Sequence, residues 1–243
     1  MPTPMRTVSI LSTYMSNGQR EPLPEGMAHA TPDMMNAILS VSAALEERGG
    51  HLYLSDLFRS YEMQNQSHLN WKSGRKKAFS PAPGGSMHEA GRALDLDLDS
   101  LGMELKDFWL IAEPHGLLPI ISAPTAGASE SWHFDCRGSH DLVYQHYKSG
   151  KGNNFEKPYT AMAASAILSI GVKVNKFGSK QKEAAIQSAL IRLGFDAGNM
   201  DGMIGQKTKD SLEQAGVALS DPDSTLTALE EKLKEKFPGE FSE

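Results

Sequence analysis

His88 and Asp95, in SMHEAGRALDLD, and Glu130 and His133, in ESWHFD, are where this sequence concentrates side chains that bind metals and move protons. His88 and Asp95 stand seven positions apart. On a helix that spacing would set their backbones ~10 Å apart, awkward for sharing one ion. With His88 in a Gly-rich loop and Asp95 on the strand that follows, a reversal at Gly91 brings imidazole and carboxylate to one point. His133 then completes two histidines and one carboxylate, a common catalytic zinc set that leaves the fourth position to water. Zinc lowers the pKa of such a water toward ~7 and polarises a scissile carbonyl, while a nearby carboxylate takes the proton and returns it to the departing amine. Glu130 is the candidate for that base. The odd spacing from Glu130 to His133 would put them on opposite faces of a regular strand, so the chain must bend between them, or Glu130 must lie on the loop that Gly127 opens.

The elements that must position these groups are those of a mixed α+β fold. A helix is expected from Pro32, where Met35, Ile38, Leu39, Ser42 and Leu45 recur at helical spacing until Gly49-Gly50 ends the run. His51 to Phe58 alternates like a strand, and Glu62 to Lys72 reads as a helix. A loop dense in Ser80, Pro81, Pro83, Gly84 and Gly85 follows. Strands are expected over 93–98, 117–121 and around 132–134, with a helix over 104–113. The polar stretch Lys148 to Pro158 reads as an exposed connection. This divides the chain into an antiparallel-sheet domain with flanking helices over 1–150, a connecting segment with a helix over 151–177, and a small all-helical domain over 178–243.

The chain has 243 residues, 40% hydrophobic and 22% charged, so a disordered chain or a collagen-like fibre is ruled out. A net charge of -6 without any Lys/Arg block gives no electrostatic reason to hold nucleic acid. One cysteine, Cys136, forms no internal disulfide and is expected to be a buried inert thiol. The stretch Ala161 to Val174 is shorter than the ~20 residues of a membrane span. The amino terminus is too polar for a signal-peptide core, which implies synthesis in the cytoplasm and another route to any target outside it. His29, His51, His68, His115, His140 and His146 read as solvent-facing or hydrogen-bonded residues.

PGGSMHEAGRALDLD followed by ESWHF resembles the pattern Ser-x-His-x-x-Gly-x-Ala-x-Asp followed by Glu-x-Trp-His of the zinc D-alanyl-D-alanine carboxypeptidases and related peptidoglycan endopeptidases, among them phage endolysins. The resemblance runs from about Asp33 to Phe134. It implies zinc on His88, Asp95 and His133, Glu130 as general base, and Ser86 and Trp132 as residues that shape the substrate site. LFRSYEMQ resembles the family's Tyr-Arg-Ser segment followed by Gln. By that likeness Arg59 is a catalytic cation near the substrate carbonyl or carboxylate, although Leu57 stands where the family usually has Gly. IQSALIRLGFDAGNMDGMIGQKTKDSL resembles the small helical peptidoglycan-binding module, whose Asp-Gly-x-x-Gly-x-x-Thr signature falls on Asp201, Gly202, Gly205 and Thr208. In that module the signature mostly builds a loop.

The function expected from these motifs is a zinc metallopeptidase that cuts amide bonds in peptidoglycan stem peptides, held to the wall by its carboxy-terminal module. The bond is left open among terminal D-Ala-D-Ala, a D,D cross-link and L-Ala-D-Glu, with a lean toward endopeptidase action because a wall anchor suits a polymeric substrate. A phage lysin released through a membrane lesion and an injected effector both fit a wall enzyme without a signal peptide. The rival from another class is a zinc-containing peptidoglycan-binding protein without turnover.

Overall fold

The computed structural model describes residues 2–242; the outermost Met1 and Glu243 of the expected domain ranges lie outside the described residues. The chain divides into two compact units. A sheet unit comprises residues 5–81 and 87–137, and a helical unit comprises residues 2–4, 82–86 and 138–242.

The sheet unit contains β1 (Arg6–Thr7), β2 (Leu11–Ser16), β3 (Gln19–Pro22), β4 (His29–Ala30), α1 (Pro32–Glu46), β5 (Leu54–Asp56), α2 (Tyr61–Lys72), β6 (Ala93–Leu96), α3 (Leu105–Ala112), β7 (Leu117–Pro119) and β8 (His133–Cys136). Six strands form one sheet in the order β3-β2-β5-β6-β8-β7, antiparallel at every pairing except β2 with β5. β1 and β4 make a separate antiparallel pair. β2 and β3 are joined by Asn17-Gly18, both at positive φ (50° and 78°), the pair of left-handed residues that a tight hairpin turn requires.

One face of the sheet is covered by α1 and α3. Met34, Ala37, Ile38, Val41 and Leu45 of α1 are buried at the 3–4 residue spacing of one helical face, against Leu54, Leu94, Phe108 and Phe134. The Phe108 and Phe134 rings meet edge to face at 5.1 Å, and burying each such ring contributes about 1.5–3 kcal/mol. Arg92 is fully buried beside this core, where its Nη1 donates to Asp33 Oδ2 at 2.8 Å and to the Cys136 carbonyl at 3.0 Å. The first turn of α1 is thereby tied to the ends of two neighbouring strands, β6 and β8.

The helical unit contains α4 (Asp141–Lys148), α5 (Pro158–Ser169), α6 (Gln181–Leu193), α7 (Gln206–Gln214) and α8 (Pro222–Lys236). α6 packs on α8 and α4 on α5. At its centre Arg192 Nη2 pairs with Glu240 Oε2 at 2.8 Å and Arg192 Nε donates to Ser139 Oγ at 2.7 Å, all three side chains being buried. Removing one partner of such a pair would leave an uncompensated buried charge. Among the described residues no helix is long and apolar enough to cross a membrane.

Candidate metal centre

Two of the three candidate ligands are delivered by one strand ladder. β6 and β8 pair antiparallel with Asp95 directly opposite His133, and Asp95 Oδ1 lies 2.8 Å from His133 Nδ1. The third comes from a 3-10 turn, Met87–Ala90, which ends at Gly91 before β6 begins. Gly91 has φ +61°, and a Cβ there would stand 3.1 Å from Ala30 Cα and the His29 carbonyl oxygen. Only glycine makes this reversal without strain. It places His88 Nε2 3.3 Å from Asp95 Oδ1. One ligand atom from each of His88, Asp95 and His133 lies within 4.8 Å of the others.

The remote nitrogen of each imidazole is also held. His88 Nδ1 donates to the Leu57 carbonyl at 2.7 Å, which leaves Nε2 as the free ligand atom. Leu57 is itself fully buried. His133 Nε2 donates to Asp135 Oδ1 at 3.0 Å, so Nδ1 faces the shared point. Two imidazoles each fixed in tautomer by an acceptor, with one carboxylate between them, are the donor set and outer partners of a zinc site. The residues present therefore fit the ion.

Electrostatics follow from this crowding. Burial disfavours a charged His133, but hydrogen bonds and charges from Asp135 and Asp95 outweigh it and push its pKa up to about 10. Burial works against an ionised Asp95 too, yet the His88 charge and hydrogen bonds from both histidines hold its carboxyl well below the usual range.

Glu130 lies one turn before His133. Its carbonyl accepts the His133 N–H at 3.1 Å, and its φ of 68° is left-handed, so the chain bends sharply between the two residues. Its side chain is half-buried, and Oε1 is buried without a hydrogen-bond partner among the described residues. Burial is the main force raising its pKa; Asp95 adds to it, while His133, Lys76 and His88 oppose it. A carboxyl in this state is suited to proton exchange.

Arg59 is buried with its guanidinium on three partners: Asp56 Oδ2 at 2.6 Å, Asp95 Oδ2 at 3.3 Å and Gln64 Oε1 at 3.2 Å. It thus grips the carboxylate oxygen of Asp95 that faces away from the histidines. Gln64, fully buried, passes the constraint to the following loop by donating to Ser80 Oγ and the Pro81 carbonyl. Trp132 is half-buried, and its carbonyl accepts from Leu96 N at 3.0 Å, extending the β6–β8 ladder by one bond. Ser86 is buried and falls in residues 82–86, which group with the helical unit.

In the helical unit, Asp201, Gly202 and Thr208 surround Gln187 of α6. Gln187 Oε1 accepts from the N–H groups of Asp201 and Gly202 at 2.9 and 2.7 Å, and its Nε2 donates to Asp201 Oδ1 at 3.1 Å. Thr208 Oγ1 donates to the Ala197 carbonyl at 3.3 Å, and Gly205 precedes α7. These residues shape a loop. Sequence reasoning missed Gln187, as it missed Asp135 and Asp56. For Asp135 a signal existed: it stands two residues after His133 on a strand, and therefore on the same face.

Fold and site together define an α+β scaffold carrying a two-histidine, one-carboxylate cluster able to hold a metal ion, with an adjacent half-buried glutamate. No family model and no curated protein matches the chain. Among solved structures, the LdcB LD-carboxypeptidase, described with the molecular basis of its peptidoglycan recognition, is 22% identical over 55% of this chain and 68% of its own, with a TM-score of 0.39. A mutant of the vancomycin-resistance D,D-pentapeptidase VanY, from a VanB-type cassette and in complex with Zn(II), is 18% identical over 61% of this chain and 89% of its own, with a TM-score of 0.33.

Proposed function

We propose that this protein is a zinc-dependent peptidase that hydrolyses amide bonds in peptidoglycan stem peptides or cross-links. The observation that carries the reading is the convergence of His88, Asp95 and His133 within 4.8 Å, beside a Glu130 oxygen that is buried and unpartnered. The peptide and wall specificity rests on the motif resemblance of the two segments.

His88, Asp95 and His133 would hold the ion. Zinc bound there supplies Lewis acidity toward a carbonyl and makes a water molecule easier to deprotonate. Glu130 Oε1 accepts the proton from the attacking water and delivers it to the departing amine, so the amide and one water become a carboxylic acid and an amine, which at neutral pH exchange a proton to carboxylate and ammonium. Arg59 fixes Asp95 and stands as the cation beside the carbonyl under attack. Ser86 and Trp132 are proposed to line the substrate site. The helical module marked by Asp201, Gly202, Gly205 and Thr208 is proposed to hold the enzyme to the wall, which favours a cut within the polymer. Such an enzyme would act at the cell wall after release or injection.

The test is release of D-alanine or of new amine groups from purified sacculi, with mass analysis of the products to identify the bond. Hydrolysis should stop on chelation and return with zinc. Zinc-loaded Glu130→Ala protein should release no product, and undiminished hydrolysis by it would remove Glu130 as the base. A tight metal-dependent complex with muropeptides and no product after long incubation would mean a binding protein instead.

A further inference from the structure

Beside the candidate metal centre, α2 and the loop after it wall an open groove of about 570 Å³ whose lining includes the carboxylates Asp56 and Glu62 and the cations Arg59 and Lys76. That size falls within the ~300–1,000 Å³ of small-ligand clefts. Two cations line it, and they differ in one respect. Arg59 faces two carboxylates, Asp56 at 2.6 Å and Asp95 at 3.3 Å, so its charge is balanced within the protein. Lys76 faces a hydroxyl: its Nζ donates to Ser67 Oγ at 3.0 Å, and its backbone N–H is held by the Asn70 carbonyl at 3.0 Å. Among the described residues Lys76 forms no ion pair.

Lys76 is half-buried. Burial, aided by Arg59, lowers the pKa of its ammonium from the ordinary 10.5, against the pull of Asp95, Asp56 and Glu130. Holding a half-buried ammonium against a hydroxyl, with carboxylates nearby but none in direct contact, is costly, and an arriving anion that pairs with it would offset that cost. Lys76 shares the groove with Arg59, whose guanidinium lies 3.3 Å from Asp95 Oδ2, so this cation opens onto the reacting centre.

We propose that Lys76 is the carboxylate receptor of the groove: a free carboxylate of the peptide substrate pairs with its ammonium and sets which stretch of peptide lies against the metal centre. This rests on the peptidase reading above. A stem peptide offers such carboxylates at its terminal D-alanine and at the α-carbon of its γ-linked D-glutamate.

The test compares three probes: L-Ala-γ-D-Glu-L-Lys-D-Ala-D-Ala, its carboxy-terminal amide, and the same peptide with D-isoglutamine in place of D-glutamate. Each is assayed with zinc-loaded wild type, Lys76→Met and Lys76→Arg, and thermal unfolding checks the variants. Wild type should show a KM about tenfold lower for the acid than for one of the two amides, and that amide identifies the carboxylate. Lys76→Met should raise the KM for the acid to the amide's value with kcat changed by less than about twofold, and Lys76→Arg should keep the preference. Equal KM values for all three probes in wild type, or a preference that survives in Lys76→Met, would overturn the assignment and leave the peptidase reading standing. Failure of wild type both to cleave and, by calorimetry, to bind any probe would overturn both.

Discussion

Asp95 and His133 face each other across a single antiparallel ladder, β6 against β8, with 2.8 Å between Oδ1 and Nδ1. Directly opposed residues on such a ladder have Cβ atoms about 4.5–5.5 Å apart, so strand register sets the distance between two candidate ligands. A one-residue slip would send one of them to the other face of the sheet. The third candidate, His88, depends on the reversal at Gly91.

The His133–Asp135 hydrogen bond makes the first prediction. Asp135 is fully buried, and its Oδ1 holds the His133 Nε2–H at 3.0 Å, which orients the ring and makes Nδ1 a better donor. Asp135→Asn keeps the volume and removes the charge. Zinc affinity, measured by competition with a chromophoric chelator, should fall about 10- to 100-fold while far-UV circular dichroism is unchanged. Affinity equal to wild type would mean that Asp135 does not tune the site.

Proton linkage makes the second. With its pKa pushed up to about 10, His133 is charged at neutral pH in the metal-free protein, and Nδ1 must lose that proton to bind an ion. Zinc binding at pH 7 should therefore release roughly one proton from this residue, and affinity should climb about tenfold per pH unit below that pKa. Calorimetry in two buffers of unlike ionisation enthalpy reads the number directly. Identical heats in both buffers would contradict it.

How much of this was legible in the sequence depended on the kind of signal. The mixed α+β class was legible, and the helical spacing after Pro32 marked α1. That His88, Asp95 and His133 could meet was readable from residue types in two separated segments, and the structure brings one atom of each within 4.8 Å of the others. Side-chain rotation was less legible: Met35, Ile38, Leu39, Ser42 and Leu45 suggest one stripe on α1, whereas the buried face is Met34, Ala37, Ile38, Val41 and Leu45, and Leu39 is 52% exposed. Several closely spaced apolar residues allow more than one stripe, and only packing against the sheet selects it. Asn17-Gly18 is a hairpin signal carried by the sequence itself. The three-way grip on Arg59 was not readable, because Asp56, Gln64 and Asp95 come from three separate elements. The polar stretch Lys148 to Pro158 lies within the helical unit, where Asn154 Nδ2 donates to the Met200 carbonyl at 2.8 Å. Local composition does not reveal such distant partners.

Backbone strain at Glu130 makes the third prediction. A left-handed conformation costs an ordinary residue about 1–2 kcal/mol, and Glu130 adopts one at φ 68° with a buried, unpartnered carboxyl oxygen. Function and stability are thus opposed at this position. Glu130→Gly should raise the free energy of unfolding by about 1 kcal/mol, seen as a higher urea midpoint at constant slope, while hydrolysis is lost. Glu130→Ala retains the Cβ and should recover none of the backbone gain. A Glu130→Gly protein less stable than wild type would show that the turn does not store this strain.

The helical unit should lose stability in mild acid through His146. This side chain is buried, and its Nε2–H donates to the Gly198 carbonyl at 2.8 Å. Burial foremost, with Lys151 and Lys207, lowers its pKa below the ordinary 6.5, against the opposing pull of Gly198 and Asp196. The unfolded chain therefore binds more protons than the folded one between the lowered value and 6.5. Stability from this group is complete above 6.5 and is lost as pH falls through that window toward the folded pKa. Urea midpoints should drop between pH 7.5 and pH 5, and His146→Gln, which keeps an N–H donor without titrating, should show a shallower drop. An equal drop in both proteins would assign the acid sensitivity to other groups.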